Sequence, residues 1–425
     1  DENLQEWNER FCNLYQIKDI RNVIYKATVN DIKQLRNASN NKKARLPRRL
    51  RNNNFAHHLR DEKCSEVMEY LIYAKQCERH VTVGVGWSAP ERDVVEMQKM
   101  IVRGKHAFVE TESHYVRLRY AYQVIRLAHY SKAYNEVLNL INELMPKVHA
   151  NPSLLDYWIM GHKAGALLRI GERVEAAYLY SLIFANCLSK RQSAYQSFSI
   201  KSNEEWDQLV LKCKSDEERA MLYTIRANHD DSRVIFEMEK IYEYDPKNEN
   251  LELLLVKEIV KLEKDFLGKD FNNNKKRNKR YFKIPRKKSE KYLKQTTEFV
   301  TKCVKEKKVI NLDLWRIAEG YLTFLGGDYA GADQIFTRLR NSMGSENEVM
   351  VNQLEVAQLA LKIAQYNYPI STKDENEIGN IIRNNSNYWN YKDFPNYIND
   401  KLVDLYIKSG EKGKAFRLHH TLDAL

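Results

Sequence analysis

Histidine pairs, scattered cysteines, one Gly-x-Gly and two basic tracts are the residues of this 425-residue chain best suited to chemistry. His57-His58 and His419-His420 are adjacent pairs. Neighbours in a helix point about 100° apart, so they do not build the two-ligand face that histidines at i and i+4 provide. Gly84-Val85-Gly86 lacks the third glycine and the Lys-Ser/Thr of a phosphate loop, and no parallel-sheet pattern surrounds it. No H-E-x-x-H, G-x-S-x-G or calcium loop is present. Cys12, Cys64, Cys77, Cys187, Cys213 and Cys303 are dispersed and never form C-x-x-C. They read as small buried hydrophobes, not as a disulfide framework or a zinc site. The expectation is a non-enzymatic chain with no catalytic residue, metal or cofactor.

The basic tracts point to binding. The net charge is +12. Arg45, Arg48 and Arg49 form one candidate polyanion site, and Lys275, Lys276, Arg277, Arg280, Lys287 and Lys288 the other, with Tyr281 and Phe282 embedded in it. Cations neutralise phosphate and aromatics stack bases. The same tract attracts anionic lipid headgroups or an acidic protein. Like charges cannot pack together, so a solvated loop is the plainer reading. A second candidate group is Tyr115, Arg119, Tyr122 and Arg126, which fall at helical spacing. Exposed, they would give a partner amphipathic anchors; packed, they would fill grooves between helices. Two charged clusters, Lys257, Glu258, Lys261, Glu263 and Lys264, and Arg119, Arg126 and Glu136, read as solvated faces or as ion pairs buried between helices.

The elements that must position these residues are helical. The chain is 43% hydrophobic, yet Pro and Gly number only 8 and 15. Long helices tolerate that scarcity of turn residues, so the expected class is all-α. No run of about 18 uncharged apolar residues exists, so no membrane span is expected. The first residue is Asp1, not Met, which reads as a processed or trimmed chain. Four regions are expected: a helical region over 1–110 with a basic loop at 40–60, helical repeats over 111–267, a basic flexible insertion at 268–288, and further repeats over 289–425. Residues 80–87 are the one strand-like piece. Asn151-Pro152 opens a helix with Pro in its first turn, and Ser202-x-x-Glu205 and Ser215-x-x-Glu218 match the capping box. Gly171 sits where a helix must end left-handed.

One phrase recurs. Gly327-Asp328-Tyr329 is followed by Ala332, Phe336 and Leu339; Gly171-Glu172 by Ala176, Tyr180 and Ile183; Gly410-Glu411 by Ala415, His419 and Leu422. Val137, Ile141, Leu144 and Val234, Met238, Ile241 repeat the spacing. A small residue lets the paired helix approach, and a large one four on fills the groove to the next pair. These residues resemble the tetratricopeptide repeat, a helix-turn-helix unit that stacks into a superhelix. The turns are not spaced by that family's regular period. The resemblance implies an irregular α-solenoid of antiparallel helix pairs that binds a protein or peptide on its concave face. Leu118–Gln123 with Ile125-Arg126-Leu127, Ala164-Gly165-Ala166 and Lys257–Glu263 also resemble segments of large uncharacterised envelope-associated or exported proteins of Bacteroidota. That second resemblance implies a periplasmic or envelope location. The rival expectation is a nucleic-acid-binding repeat protein using the basic segments.

Overall fold

The computed structural model describes residues 1–41, 43–81, 93–148, 152–230, 232–267, 287–344, 347–384 and 393–421. Among them are twenty-two α-helices and no strand. The chain forms two compact units, Asp1–Met221 and Leu222–Leu425.

The first unit opens with α1 (Glu2–Arg10), α2 (Ile17–Arg21), α3 (Val29–Asn40), α4 (Asn54–Asp61), α5 (Ser65–Val81) and α6 (Val94–Glu110). It continues with α7 (His114–Tyr130), α8 (Tyr134–Leu144), α9 (Leu154–Ile170), α10 (Arg173–Asn186), α11 (Leu188–Ser197) and α12 (Asn203–Lys212). After α13 (Asp216–Ala227) the second unit contains α14 (Val234–Tyr244), α15 (Glu249–Phe266), α16 (Lys287–Glu306), α17 (Leu312–Leu325) and α18 (Tyr329–Ser342). It closes with α19 (Glu348–Ala364), α20 (Thr372–Asn384), α21 (Asp393–Lys408) and α22 (Lys412–Thr421). Within each unit consecutive helices pair, and alternate helices also touch. Thus α7 packs on α8 and on α5 and α9, while α17 packs on α18 and on α15 and α19, and α19 on α21. This is an all-α helical-repeat arrangement. No described helix is long and apolar enough to cross a membrane.

The recurrent phrase builds one turn four times. Gly171, Gly327 and Gly410 have φ of +101°, +86° and +80°, and Lys132 takes the same place at +64°. In each turn the next residue donates its backbone N–H to the carbonyl five residues back: Ala133 to Ala128, Glu172 to Leu167, Asp328 to Thr323 and Glu411 to Tyr406. That closure satisfies orphan carbonyls at a helix C-terminus and needs a left-handed residue, which glycine adopts without a Cβ clash. Five residues after each left-handed position stand Val137, Ala176, Ala332 and Ala415, all buried. Nine after it, Ile141, Tyr180 and Phe336 fill the groove and are also buried. Leu422 and the His419 side chain lie outside the described residues. Gly320 is required by Phe336, since a Cβ there would run into the Phe336 ring. Lys132 is the one non-glycine among these four turns, and Lys63, at φ +50°, closes the end of α4 in the same way, with Cys64 N donating to Leu59 O. Lys132→Gly should therefore raise the stability of the first unit by about 1 kcal/mol. Chemical denaturation measures it, and a neutral or negative change would mean the αL strain is offset locally.

Several local expectations are corrected. The irregular stretch expected over 40–60 ends early, because Asn54–Asp61 is helical. Asn53 Oδ1 accepts from Ala56 N at 2.8 Å, its Nδ2 donates to Asp19 O at 2.9 Å, and Phe55, Ala56 and Leu59 are buried. Ser153, not Asn151-Pro152, starts α9, with a reciprocal box to Asp156, so Pro152 precedes the cap. Helix α16 begins at Lys287, inside the expected insertion. His80 and Val81 end α5, and the rest of the expected strand-like piece lies outside the described residues. Ser202 and Ser215 cap as expected, but Glu205 and Glu218 accept from Lys201 N and Lys214 N, one residue before each cap.

Candidate functional site

In the first unit, Tyr115, Arg119, Tyr122 and Arg126 are spaced by four, three and four residues, which places them on one face of α7. The structure does bring them into line, but it splits them. The N-terminal half of the stripe is covered by α1. Arg119 is only 3% exposed. Its Nη2 donates to Asn3 Oδ1 at 3.0 Å, to Glu6 Oε1 at 3.3 Å and to Tyr115 Oη. Its guanidinium lies 4.1 Å from the Trp7 ring centroid and 4.6 Å from that of Tyr115. Glu6 also accepts from Ser153 Oγ at 2.9 Å and from Leu154 N at 2.6 Å, at the N-terminus of α9. An anion is favoured there by the helix dipole. Glu2 of α1 accepts from Ser189 N at 2.9 Å, at the start of α11. Tyr115 and Arg119 are thus internal packing residues, and Tyr122 is buried too, so three of these four residues are not the exposed contacts they read as. Of the two readings left open for the Arg119, Arg126 and Glu136 cluster, Arg119 takes the buried ion pair, but with Glu6 and not with Glu136.

The C-terminal half of the stripe is not covered by α1. The Tyr122 ring lies 5.4 Å from Trp158 and 5.8 Å from His162, both on α9. The Arg126 guanidinium, partly exposed, sits 5.8 Å from Tyr122 and 5.9 Å from Tyr130. Lys190 Nζ, at the start of α11, is 5.0 Å from the Trp158 ring centroid. His129 and His162 are 4.9 Å apart. Burial, then His129, Arg126 and Lys190, hold the His162 imidazole well below its ordinary value, so it is neutral at pH 7. Burial, then Arg126, lowers Lys190. Among the described residues neither Arg126 nor Lys190 has an ion-pair partner. Trp158, His162 and Lys190 were not marked by the sequence pattern. The i, i+4 spacing of Trp158 and His162 is the signal that places both on the stripe-facing side of α9.

The second unit carries a surface of different character. A groove of about 380 Å³ runs across α15, α17, α19 and α21, the alternate helices that stack on one another. Val256, Ile259 and Val260 of α15, Tyr321 of α17, Val356 of α19 and Tyr397 of α21 line it. Val256 and Val260 are 48% and 43% exposed, unusual for valines one turn apart on a helix. Its tyrosine hydroxyls are already engaged. Tyr321 Oη donates to Glu263 Oε1 at 2.6 Å, and Tyr397 Oη donates to Ala360 O at 3.2 Å.

The other predicted residues stand as follows. Arg45, Arg48 and Arg49 are exposed around a short turn anchored by buried Leu46 and Leu50, and no described carboxylate pairs with them. Lys287 and Lys288 are exposed in the first turn of α16; Lys275, Lys276, Arg277 and Arg280 lie outside the described residues. In the charged cluster of α15, Glu258 is buried and accepts from Lys261 Nζ and Tyr292 Oη, each at 2.6 Å. Burial pushes the thiols of Cys77 and Cys303 up to about 12 and that of Cys213 to about 11, which leaves them protonated. Among the described residues, no group of three or more His, Cys, Asp or Glu side chains could hold a metal ion. No protein-family model, curated protein or solved structure matches this chain.

Proposed function

We propose that this chain is a non-enzymatic, tetratricopeptide-like scaffold that binds a protein or peptide across its helical repeats. The groove of the second unit carries this reading. Its walls come from four alternate helices, so an occupant must touch several repeats at once, which suits an extended or helical segment better than a small molecule. The lining is mainly aliphatic and aromatic, and its hydroxyls are satisfied internally, so burial of apolar side chains supplies the attraction.

Val256→Glu with Val260→Glu tests it. Carboxylates in the trough would have to be desolvated by an apolar occupant, so affinity should fall at least a hundredfold while helical circular dichroism stays unchanged. Affinity capture from native extract in high salt, with wild type and variant side by side, measures this. Equal recovery of a stoichiometric protein by both would place binding elsewhere. Exposed Arg45, Arg48 and Arg49, with no described carboxylate partner, favour nucleic acid as the second reading. Capture of RNA or DNA, lost steeply with salt and on neutralising those three arginines, would support it.

A further inference from the structure

The face of the first unit beyond α1 is a cationic shelf with aromatic walls. Arg126, Lys190, His129 and His162 come together from α7, α9 and α11, with Tyr122, Tyr130 and Trp158 between them. Burial and the neighbouring Arg126 disfavour the charged forms of His162 and Lys190, and no described carboxylate pairs with Arg126 or Lys190. The same stripe shows how the relief is supplied elsewhere. Seven residues earlier on α7, Arg119 is met by a carboxylate from a short acidic helix. That helix uses Glu2 and Glu6, at i and i+4, to reach the start of α11 and the Arg119–α9 junction together. We propose that the shelf formed by Arg126, Lys190 and Trp158 binds an acidic helical segment of a partner polypeptide, laid beside α1, with carboxylates at i and i+4 answering the two cations.

The fit is one of charge and shape. Carboxylates one helical turn apart have Cβ atoms about 5–6 Å from each other, the spacing that Glu2 and Glu6 already use. The aromatic walls cover the helix's aliphatic stems and exclude water, which strengthens each charge-assisted hydrogen bond. This site lies in the other unit from the apolar groove, so it holds or fails independently of the reading given above.

The test uses the full chain and an alanine-based peptide of about 20 residues, a length that is helical in water, bearing two Glu at i and i+4. A second peptide has Gln in both places, and a third has the two Glu at i and i+2, on different faces. Fluorescence anisotropy should show the i, i+4 Glu peptide bound at least tenfold more tightly than either control. Arg126→Gln and Lys190→Gln should each weaken it about tenfold, whereas Lys18→Gln, on exposed α2, should not change it. Circular dichroism of each variant confirms that the fold persists. Should a variant fail to fold, the ranking of the three peptides on wild type still decides the matter. Equal affinity for the i, i+4 and i, i+2 peptides would overturn the proposal, as would an equal loss with Lys18→Gln. Displacement by millimolar inorganic phosphate, or tighter binding of a single-stranded oligonucleotide, would reassign the shelf to small anions or nucleic acid.

Discussion

Replacing Glu6 by alanine should lower the stability of the first unit by about 3–5 kcal/mol, the range seen when one partner of a buried ion pair is removed. The reason lies in what stays behind. Arg119 is almost wholly buried, and its Nε already lacks a partner among the described residues. Without Glu6 its guanidinium keeps Asn3 and Tyr115, neither of which carries a negative charge at pH 7. The hydroxyl of Ser153 and the N–H of Leu154 lose their acceptor in the same substitution. Urea unfolding followed through Trp7, fully buried beside Arg119, reads the effect directly. The partnered replacement Glu6→Leu with Arg119→Met should recover most of the loss, because removing both charges also removes their desolvation. A loss under about 1 kcal/mol for Glu6→Ala would mean that the pair contributes no more than a surface bridge.

Phe336→Ala should cost the second unit about 3–5 kcal/mol, the usual range for truncating a buried aromatic. Phe336 is fully buried and packs over Gly320 of the preceding helix. The pair makes a sharper prediction than the single substitution. Gly320→Ala alone pushes a methyl into the Phe336 ring and should destabilise by about 1–3 kcal/mol through overpacking. In the Phe336→Ala background the same change should lose most of that cost, since only Ile335 Cγ2, 3.1 Å from the new Cβ, still crowds it and alanine is the better helix former. A double-mutant cycle in urea measures the difference. If Gly320→Ala costs the same in both backgrounds, the close approach of α17 and α18 does not depend on this ring.

The helix pairs were legible because their turns obey local rules. A left-handed residue followed five on by a small one and nine on by a large one is a constraint within one stretch of chain. It identified Gly171, Gly327 and Gly410 together with their packing partners. Lys132 was missed because the αL position there carries no glycine, and only its neighbours Val137 and Ile141 kept the spacing. The α7 stripe was legible as a stripe, but not as one half buried and one half open. What buries Tyr115 and Arg119 is a helix more than a hundred residues earlier, and no local pattern reports a partner at that distance. Glu6 carries no local mark either, for the same reason. Likewise the groove of the second unit is assembled from four helices, of which α15 displays three exposed apolar residues, α19 and α21 one each, and α17 none.

The contact between Glu6 and the start of α9 spans 148 residues of chain. Helix α1 therefore leaves the ribosome with only the adjoining α2 to lean on at first. At about 5–20 residues per second, translation needs roughly seven to thirty seconds to supply the start of α9 after α1 has emerged. During that interval Trp7, fully buried in the finished unit, gains Tyr70 of α5 and then Tyr115 of α7 as those helices emerge, while Glu6 still lacks Ser153 and Leu154. The helices from α5 to α8 pack through short-range pairings and can assemble meanwhile, since local contacts close fastest. The Glu6 clasp on the start of α9 is then a late contact of the first unit, added to an α1 that already rests on α2.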